Sequence, residues 1–447
     1  MTLSDPHLAL CILPPFWPDL PPLSLAYLQG FLLAHHIPVT AIDYNQQFYQ
    51  AFPTTVQNLF RKSIHPFLED QMIEIMQTHA KTVYQRMIKN LLSYSIIGFS
   101  CYRSNFKATL SIASMIKEKK SDIKIILGGP EIANQYFIHK QNLKQKWANT
   151  VDLLVAGEGE RPLYEYLHHP QENDTPSLVT FKQYETLAPY PTPEFTLAPE
   201  LHYPRTSTRS LLFSRGCIRK CRFCSERLLY RGFRHYPIQQ IISQLQRDYD
   251  QGMSHFIFHD SMLNADINAL DQLLSAIIQE MKPITWEAQM GIRTDMPDEL
   301  YRKIKQSGCR HLFIGLESGS DVTLAAMHKG YSTSDAIHFF KQLKSQDISF
   351  GVSMIIGYPS ESESDFQESL EFILNNKEYI PKIEQVNPFV YYQGTPLSKK
   401  ADYRSHPQSV QRTEYFIQKI KEAKIKYTRH YLWNLIEDGP LKVEGSS

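Results

Sequence analysis

Arg215-Gly216-Cys217-Ile218-Arg219-Lys220-Cys221-Arg222-Phe223-Cys224 is the stretch on which the reading of this chain turns. It follows the apolar run Leu211-Leu212-Phe213 and sets three cysteines at intervals of four and three, beside a glycine and several cations. Thiolates are the ligands of iron–sulfur clusters, which ordinarily take four. Three thiolates with no fourth nearby leave one iron open to a small molecule, which suits chemistry better than electron storage. A zinc site is the competing reading; it needs a fourth ligand, and His235 is within range. Gly216 and the strand-like run before it do not resemble a zinc knuckle. Chance grouping of structural cysteines is a weaker alternative, because half of the six cysteines fall within eight residues. Arg215, Arg219, Lys220 and Arg222 read either as a solvated basic loop or as cations that favour thiolate ligands.

The 447 residues leave room for two or three domains and a sizeable core. A formal net charge of +1 gives no electrostatic case for nucleic acid or an anionic membrane. Aromatic content of 12% suits large pockets or simply a well-packed core. Cys11, Cys101 and Cys309 are scattered and imply no disulfide framework. No charged-then-apolar leader and no apolar run of spanning length stand out, so the expectation is a soluble protein of a reducing cytoplasm.

Working outward toward the start, Leu8 to Leu13 is a short apolar run ended by Pro14-Pro15 and reads as a buried strand. A helix is expected from about Pro22, carrying Leu25, Leu28, Phe31, Leu32 and Leu33. Val39 to Tyr44, Ile96 to Ser100, Ile123 to Leu127 and Val151 to Ala156 continue the strand series, with a helix over Ala108 to Lys119. Strands alternating with helices predict a doubly wound, Rossmann-like parallel α/β sheet over residues 1–165. Residues 46–92 break the rhythm and read as helices, an insertion covering a ligand. Ligands of such folds bind outside the carboxyl ends of the strands. Pro14-Pro15, Ser100 to Asn105, Gly128-Gly129-Pro130-Glu131 and Gly157 to Glu160 gather there. Glycines permit close backbone approach, although Gly-Gly-Pro is also an ordinary turn. Flavin or nicotinamide binding is disfavoured, since no Gly-x-Gly-x-x-Gly follows the first strand.

Residues 166–204 are rich in Pro, Thr, Tyr and His with little periodicity and read as a linker. Over 205–400 a strand–helix repeat follows, with strands expected at Ser210–Arg215, His255–Asp260, Thr285–Met290, His311–Glu317, Phe350–Ile356 and Gln385–Tyr391. Six such units are fewer than the eight of a closed barrel, so a partial (β/α)6 barrel is predicted, with its site on the loops after the strands. The three cysteines occupy the first of those loops. Residues 401–447 form a helical C-terminal segment in this reading, amphipathic from Tyr415 to Leu435 and packed on the barrel.

Cys-x3-Cys-x2-Cys with Phe223 before its last cysteine resembles the radical S-adenosylmethionine (SAM) superfamily. Gly315-Leu316-Glu317-Ser318, Gly351 to Pro359 and Gly394-Thr395-Pro396-Leu397 match further stretches of that superfamily. The resemblance implies a 4Fe–4S cluster on Cys217, Cys221 and Cys224 whose open iron chelates SAM. It places Phe223 beside adenine, Ser353 in the segment that reads adenine, and Glu317 on the SAM amine or ribose. Arg293 is expected on the SAM carboxylate or in a plain salt bridge, and Asp260, with His259 and Ser261, near the SAM amine. His328 and Lys329 resemble a recurrent basic pair.

The first domain, through Pro-Pro-Leu-Ser-Leu-Ala-Tyr-Leu, Gly-Gly-Pro-Glu and Gly-Glu-Gly-Glu, resembles the cobalamin-binding domain that precedes many radical SAM barrels. Ser100, Gly128, Gly129, Pro130 and Glu131 are its implied cofactor contacts. The chain has no Asp-x-His-x-x-Gly, so no histidine of that motif would ligate cobalt; a Rossmann-like domain without a cofactor is the alternative. Together the two resemblances imply a cobalamin-dependent methyltransferase acting on an unactivated carbon. Radical rearrangement, cyclisation or oxidation is the second reading, and a noncatalytic iron–sulfur protein the third. Implied partners are a substrate that the sequence does not name and a reductant such as flavodoxin or ferredoxin. Tyr427, Tyr431 and Trp433 of the tail are expected near the substrate.

Overall fold

A computed structural model describes residues 7–62, 66–168, 177–197, 200–392, 394–397 and 407–428. Its contacts divide the chain into two compact units. The described residues up to Thr206, with Leu228–Tyr230, form the first; Ser207–Arg227 and the described residues from Arg231 form the second.

The first unit is built on a parallel sheet. Its strands are β1 (Leu8–Ile12), β2 (Thr40–Asp43), β3 (Ile96–Ser100), β4 (Lys124–Gly128), β5 (Leu153–Ala156) and β6 (Ser177–Thr180), in the order β2-β1-β3-β4-β5-β6. Every residue of β1, β3 and β5 is buried. Helices cover both faces, so these strands are continuously apolar rather than alternating. Ala9, Cys11 and Leu13 enter one core, whereas Leu8, Leu10 and Ile12 enter the other. Residues 46–92 form helices as expected, but Phe48, Phe52, Val56, Met72, Met76 and Met87 belong to the core shared with Ile97 and Phe99. The insertion is therefore part of the packed domain.

β6 corrects the reading of 166–204 as linker only. Ser177–Thr180 pairs in parallel with Leu153–Ala156. A half-exposed edge strand of four residues carries too little apolar signal to stand out in a Pro- and Thr-rich stretch.

The second unit holds a seven-stranded parallel sheet. Its strands are β7 (Thr208–Leu211), β10 (His255–Phe258), β11 (Thr285–Met290), β12 (Cys309–Glu317), β13 (Phe350–Ile356), β14 (Lys382–Pro388) and β15 (Lys426–Tyr427). A separate antiparallel pair, β8 (Ser214–Arg215) and β9 (Arg234–His235), flanks the cysteine loop. The order β15-β14-β13-β12-β11-β10-β7 leaves two edges among the described residues, an open sheet rather than a closed barrel. Burial alternates along β10, β11 and β12, so Phe256, Phe258, Trp286, Leu312 and Ile314 sit on the buried face.

Two expectations shift here. The last barrel strand runs over Lys382–Pro388, because its polar start at Lys382 and Glu384 hides a strand from a search for apolar runs. The C-terminal helix spans Pro407–Glu422, not 415–435, and ends before β15, which pairs with Lys382 and Ile383 of β14. Tyr427 is thus an edge-strand residue, while Tyr431 and Trp433 lie outside the described residues. Among the described residues no helix is long and apolar enough to cross a membrane.

Candidate active site

The cysteine loop leaves β8 at Gly216. Its φ of +85° lies in the left-handed region, and a Cβ there would run into the Gly232 carbonyl oxygen. Glycine is required where the loop passes the 232–233 backbone. Pairing of Ser214 with His235 and of Arg215 with Arg234 closes the base of the loop. Asp260, at the end of β10, anchors the same base. Its Oδ2 accepts from Phe213 N at 3.0 Å, and its Oδ1 accepts from Ser214 N and Ser214 Oγ at 2.5 Å each. Both carboxylate oxygens therefore serve the loop, and Asp260 is 2% exposed. Burial pushes its pKa up to about 6, against hydrogen bonds that lower it. Asp260 thus braces the base of the loop.

Cys217, Cys221 and Cys224 are free thiols on irregular backbone, Cys221 buried and the others half-buried. Burial raises the Cys217 thiol above its usual range, partly offset by Arg219 N, which donates to Cys217 Sγ at 3.4 Å. Burial pushes Cys224 up to about 12. Two basic residues of the loop act as staples: Arg215 reaches Tyr236 OH at 3.2 Å, and Arg219 donates to Gly330 O at 3.1 Å and Ile292 O at 2.7 Å. Deprotonation of the thiols would therefore come with metal binding. His235 Nδ1 lies 2.9 Å from Tyr236 O, and its ring packs 5.5 Å from Phe213. Among the described residues no three His, Cys, Asp or Glu side chains form a preassembled metal cage. Three soft thiolates on one loop fit an iron–sulfur cluster better than zinc.

The turn after β12 packs against this loop. Glu317 ends β12 with φ of +70°. Its Oε1 lies 3.3 Å from Lys329 Nζ, and its Oε2 accepts from Ser353 Oγ at 3.0 Å. Gly315, two residues earlier on the same strand face, explains the Gly-Leu-Glu pattern. A Cβ there would stand 2.5 Å from Glu317 Oε1 and 3.6 Å from Lys329 Nζ. Lys329 Nζ also lies over the rings of Phe223 and Tyr331, at 5.8 and 5.6 Å. Burial alone would lower the Lys329 pKa; Tyr331, Glu317 and Cys221 outweigh it and raise the value, so the ammonium stays charged. Phe223 packs against the small apolar cluster of Met327, Tyr358 and Phe389. Cys221, Phe223, Glu317, Lys329 and Ser353 are thus brought together. Tyr331, which donates to Gly315 O and Leu316 O at 2.9 Å, went unnoticed in the sequence for want of a local signal.

Arg293 is engaged within the protein. It pairs with Asp295 at 2.8 and 2.5 Å and donates to Asn264 O and Ala265 O at 3.2 and 2.6 Å. His259 Nε2 lies 3.1 Å from Ser210 Oγ, and Ser261 Oγ donates to Glu226 Oε1 at 2.6 Å. A cavity of about 380 Å³ lined by Ile218, Arg219, Arg293 and Tyr331 adjoins the loop. A cavity of about 840 Å³ lies at the opposite end of the strands, around Thr285, Cys309, Ser349 and Phe350, away from this chemistry.

In the first unit the strand order reverses between β1 and β3, the place where such sheets bind ligands. Asn105 stitches the two strand ends, donating to Leu13 O at 3.0 Å and Ser100 O at 3.3 Å. Ser100 is buried and pairs with Gly128. The double glycine divides into two unlike positions. Gly129 has φ of +100°, and its Cβ would stand 2.7 Å from Cys101 O, so local backbone packing demands glycine there. Gly128 is open: the nearest atom to its Cβ would be Val155 Cβ at 3.8 Å. Pro130 starts a helix capped by Gly129, and the Glu131 carboxylate is taken by Gln135 at 2.7 Å and Asn134 at 3.2 Å.

Comparison with known proteins places this geometry. A model of the radical SAM superfamily matches residues 211–373, so the chain carries a radical SAM domain, with the 4Fe–4S cluster and SAM that such a domain implies. An uncharacterised methyltransferase of Pyrococcus horikoshii is 23% identical over 296 residues, 62% of this chain and 63% of that protein. The chain therefore spans less than two thirds of that relative. A tRNA-2-methylthio-N(6)-dimethylallyladenosine synthase of Natranaerobius thermophilus is 22% identical over 343 residues, 73% of this chain and 72% of the relative. Among solved structures, the radical SAM methyltransferase TsrM of Kitasatospora setae with cobalamin and a 4Fe–4S cluster bound matches 88% of this chain and 74% of that one. Its TM-score is 0.66 at 14% identity, a likeness of fold.

Proposed function

We propose that this chain, whose residues 211–373 form a radical SAM domain, is a cobalamin-dependent methyltransferase acting on an unactivated carbon. The observation that carries the reading is the docking of the cysteine loop on the Glu317–Lys329 pair beside Phe223. When bound, the cluster and cobalamin supply reductive cleavage of SAM to a 5′-deoxyadenosyl radical and carriage of the methyl group. Cys217, Cys221 and Cys224 hold the cluster, and Asp260 keeps their loop in place. Glu317 and Ser353 present the polar wall toward the SAM amine or ribose, and Phe223 offers a ring face for adenine. In this assignment the sheet of residues 1–165 is the cobalamin domain, 205–400 the barrel and 401–447 a covering tail. The space beside Gly128 supports the corrin assignment, since a bulky ligand needs an approach that only a missing side chain leaves. An electron donor of the flavodoxin or ferredoxin class completes the system.

Methylthio transfer, the activity in the name of the Natranaerobius relative, is served less well. Sulfur insertion asks for a second sulfur source held by further thiolates. The remaining cysteines, Cys11, Cys101 and Cys309, are buried, and burial raises each thiol well above its usual range.

The test is anaerobic reconstitution followed by incubation with SAM and reductant. Wild-type protein should form 5′-deoxyadenosine and retain about one corrin per chain, and Ala at any of the three loop cysteines should abolish the nucleoside product. Undiminished 5′-deoxyadenosine from those variants would sink the cluster assignment; a reconstituted protein without corrin would sink the cobalamin part alone.

A further inference from the structure

The short helix Asp321–Met327 ends at His328, whose left-handed φ of +57° turns the chain back. Lys329 N then donates to Leu324 O at 3.1 Å, a helix-end closure that fixes the Lys329 backbone independently of any cofactor. The turn so formed meets the cysteine loop repeatedly. Arg222 N donates to Met327 O at 3.0 Å, Arg219 donates to Gly330 O at 3.1 Å, and the Arg219 guanidinium lies 5.7 Å from the Tyr331 ring centre. The Lys329 side chain, 11% exposed, projects from this turn to Glu317 Oε1 at 3.3 Å and over Phe223 at 5.8 Å. One nearly buried cation therefore touches the residue before Cys224 and the carboxylate expected to face SAM.

We propose that Lys329 is a positioning residue that couples the two halves of the site: its ammonium holds the Glu317 carboxylate and the Phe223 ring in place and biases the bound cluster toward its reduced form. This rests on the radical SAM reading above. The physical reason is charge. One-electron reduction, by an external donor of the flavodoxin or ferredoxin class, adds a negative charge to a cluster ligated by Cys221. A fixed cation in a poorly solvated site stabilises that added charge far more than a surface lysine would. The same ammonium, 3.3 Å from Oε1, holds the Glu317 carboxylate aimed across Gly315.

The experiment uses the full-length, anaerobically reconstituted protein. Cluster midpoint potential is read by redox titration with paramagnetic resonance, and SAM affinity by equilibrium dialysis, for wild type, Lys329→Met and Lys329→Arg. Lys329→Met should keep wild-type iron and sulfide content. Its reduction equilibrium should shift at least tenfold against the reduced form, which is about 59 mV for a one-electron couple. Its SAM dissociation constant should rise about tenfold or more, and Lys329→Arg should recover most of both changes. A lysine that only packs would move the melting temperature and leave the potential alone, so an unchanged potential in Lys329→Met overturns the proposal. Should Lys329→Met take up no cluster, Lys329→Gln is compared with Lys329→Arg. A cluster in Arg but not Gln supports the role of charge, whereas loss in both overturns it. A wild-type protein that binds no cluster defeats the radical SAM reading itself, an outcome visible before any variant is made.

Discussion

Gly128 and Gly129 are neighbours with opposite reasons for being glycine, and substituting each in turn separates the fold from the ligand. At Gly129 the φ of +100° is one that a side chain resists, at a cost of about 1–3 kcal/mol. An added Cβ would also stand 2.7 Å from Cys101 O and 3.0 Å from Cys101 N. Relief of that contact strains two hydrogen bonds, Cys101 N to Gly128 O at 2.8 Å and Glu131 N to Cys101 O at 3.1 Å, each worth about 0.5–1.5 kcal/mol. Gly129→Ala should therefore destabilise the first unit by roughly 2–6 kcal/mol, a melting shift of about 4–24 °C for a domain of this size. At Gly128 nothing within 3.8 Å meets the Cβ, and a β-branched residue suits a strand, so Gly128→Val should leave the melting temperature within about 2 °C. In the reading proposed above it fills the space the corrin needs, so corrin content should fall several-fold while iron content holds. Differential scanning calorimetry, with corrin and iron quantified on the same samples, checks all of this. Full corrin content in a folded Gly128→Val protein would falsify the placement of the ligand, and an unshifted melting temperature for Gly129→Ala would refute the backbone argument.

Two further expectations concern the second unit. Glu317→Gln should weaken SAM binding by about 1.5–3 kcal/mol, the worth of a charge-assisted hydrogen bond, with the cluster retained; unchanged affinity by anaerobic dialysis would move the SAM contact elsewhere. Asp260→Asn should lower iron per chain while leaving SAM affinity of the loaded fraction intact, whereas lost affinity at full iron loading would return Asp260 to the SAM pocket. Because burial raises its pKa from 3.8 to about 6, the folded protein binds that proton more tightly than the unfolded chain does. Its contribution to stability is thus greatest below pH 3.8, declines by ~3 kcal/mol as pH rises to about 6, and is level above. Asp260→Asn should remove that slope from the unfolding free energy measured between pH 4 and 7.

Much of the architecture was legible because it is written in neighbouring residues. Thiolates at intervals of four and three, and apolar runs spaced by helix-length intervals, are local patterns, and they predicted the cysteine loop and both parallel sheets in this chain. Two of the edge strands were not legible. Ser177–Thr180 and Lys426–Tyr427 are short and half-exposed, so only pairing with β5 and β14 makes them strands. The site divides in the same way. Cys217, Cys221, Cys224, Phe223 and Glu317 could be named from motifs, yet the task of each neighbour depended on partners far along the chain. Asp260 meets Ser214 across 46 residues and Arg219 meets Gly330 across 111, and those contacts make one a brace and the other a staple. Composition cannot say whether a carboxylate faces a ligand or a backbone amide, nor which glycine of a pair is crowded. Both depend on where folding brings the second partner, and that is decided by the packing of strands and turns distant in sequence.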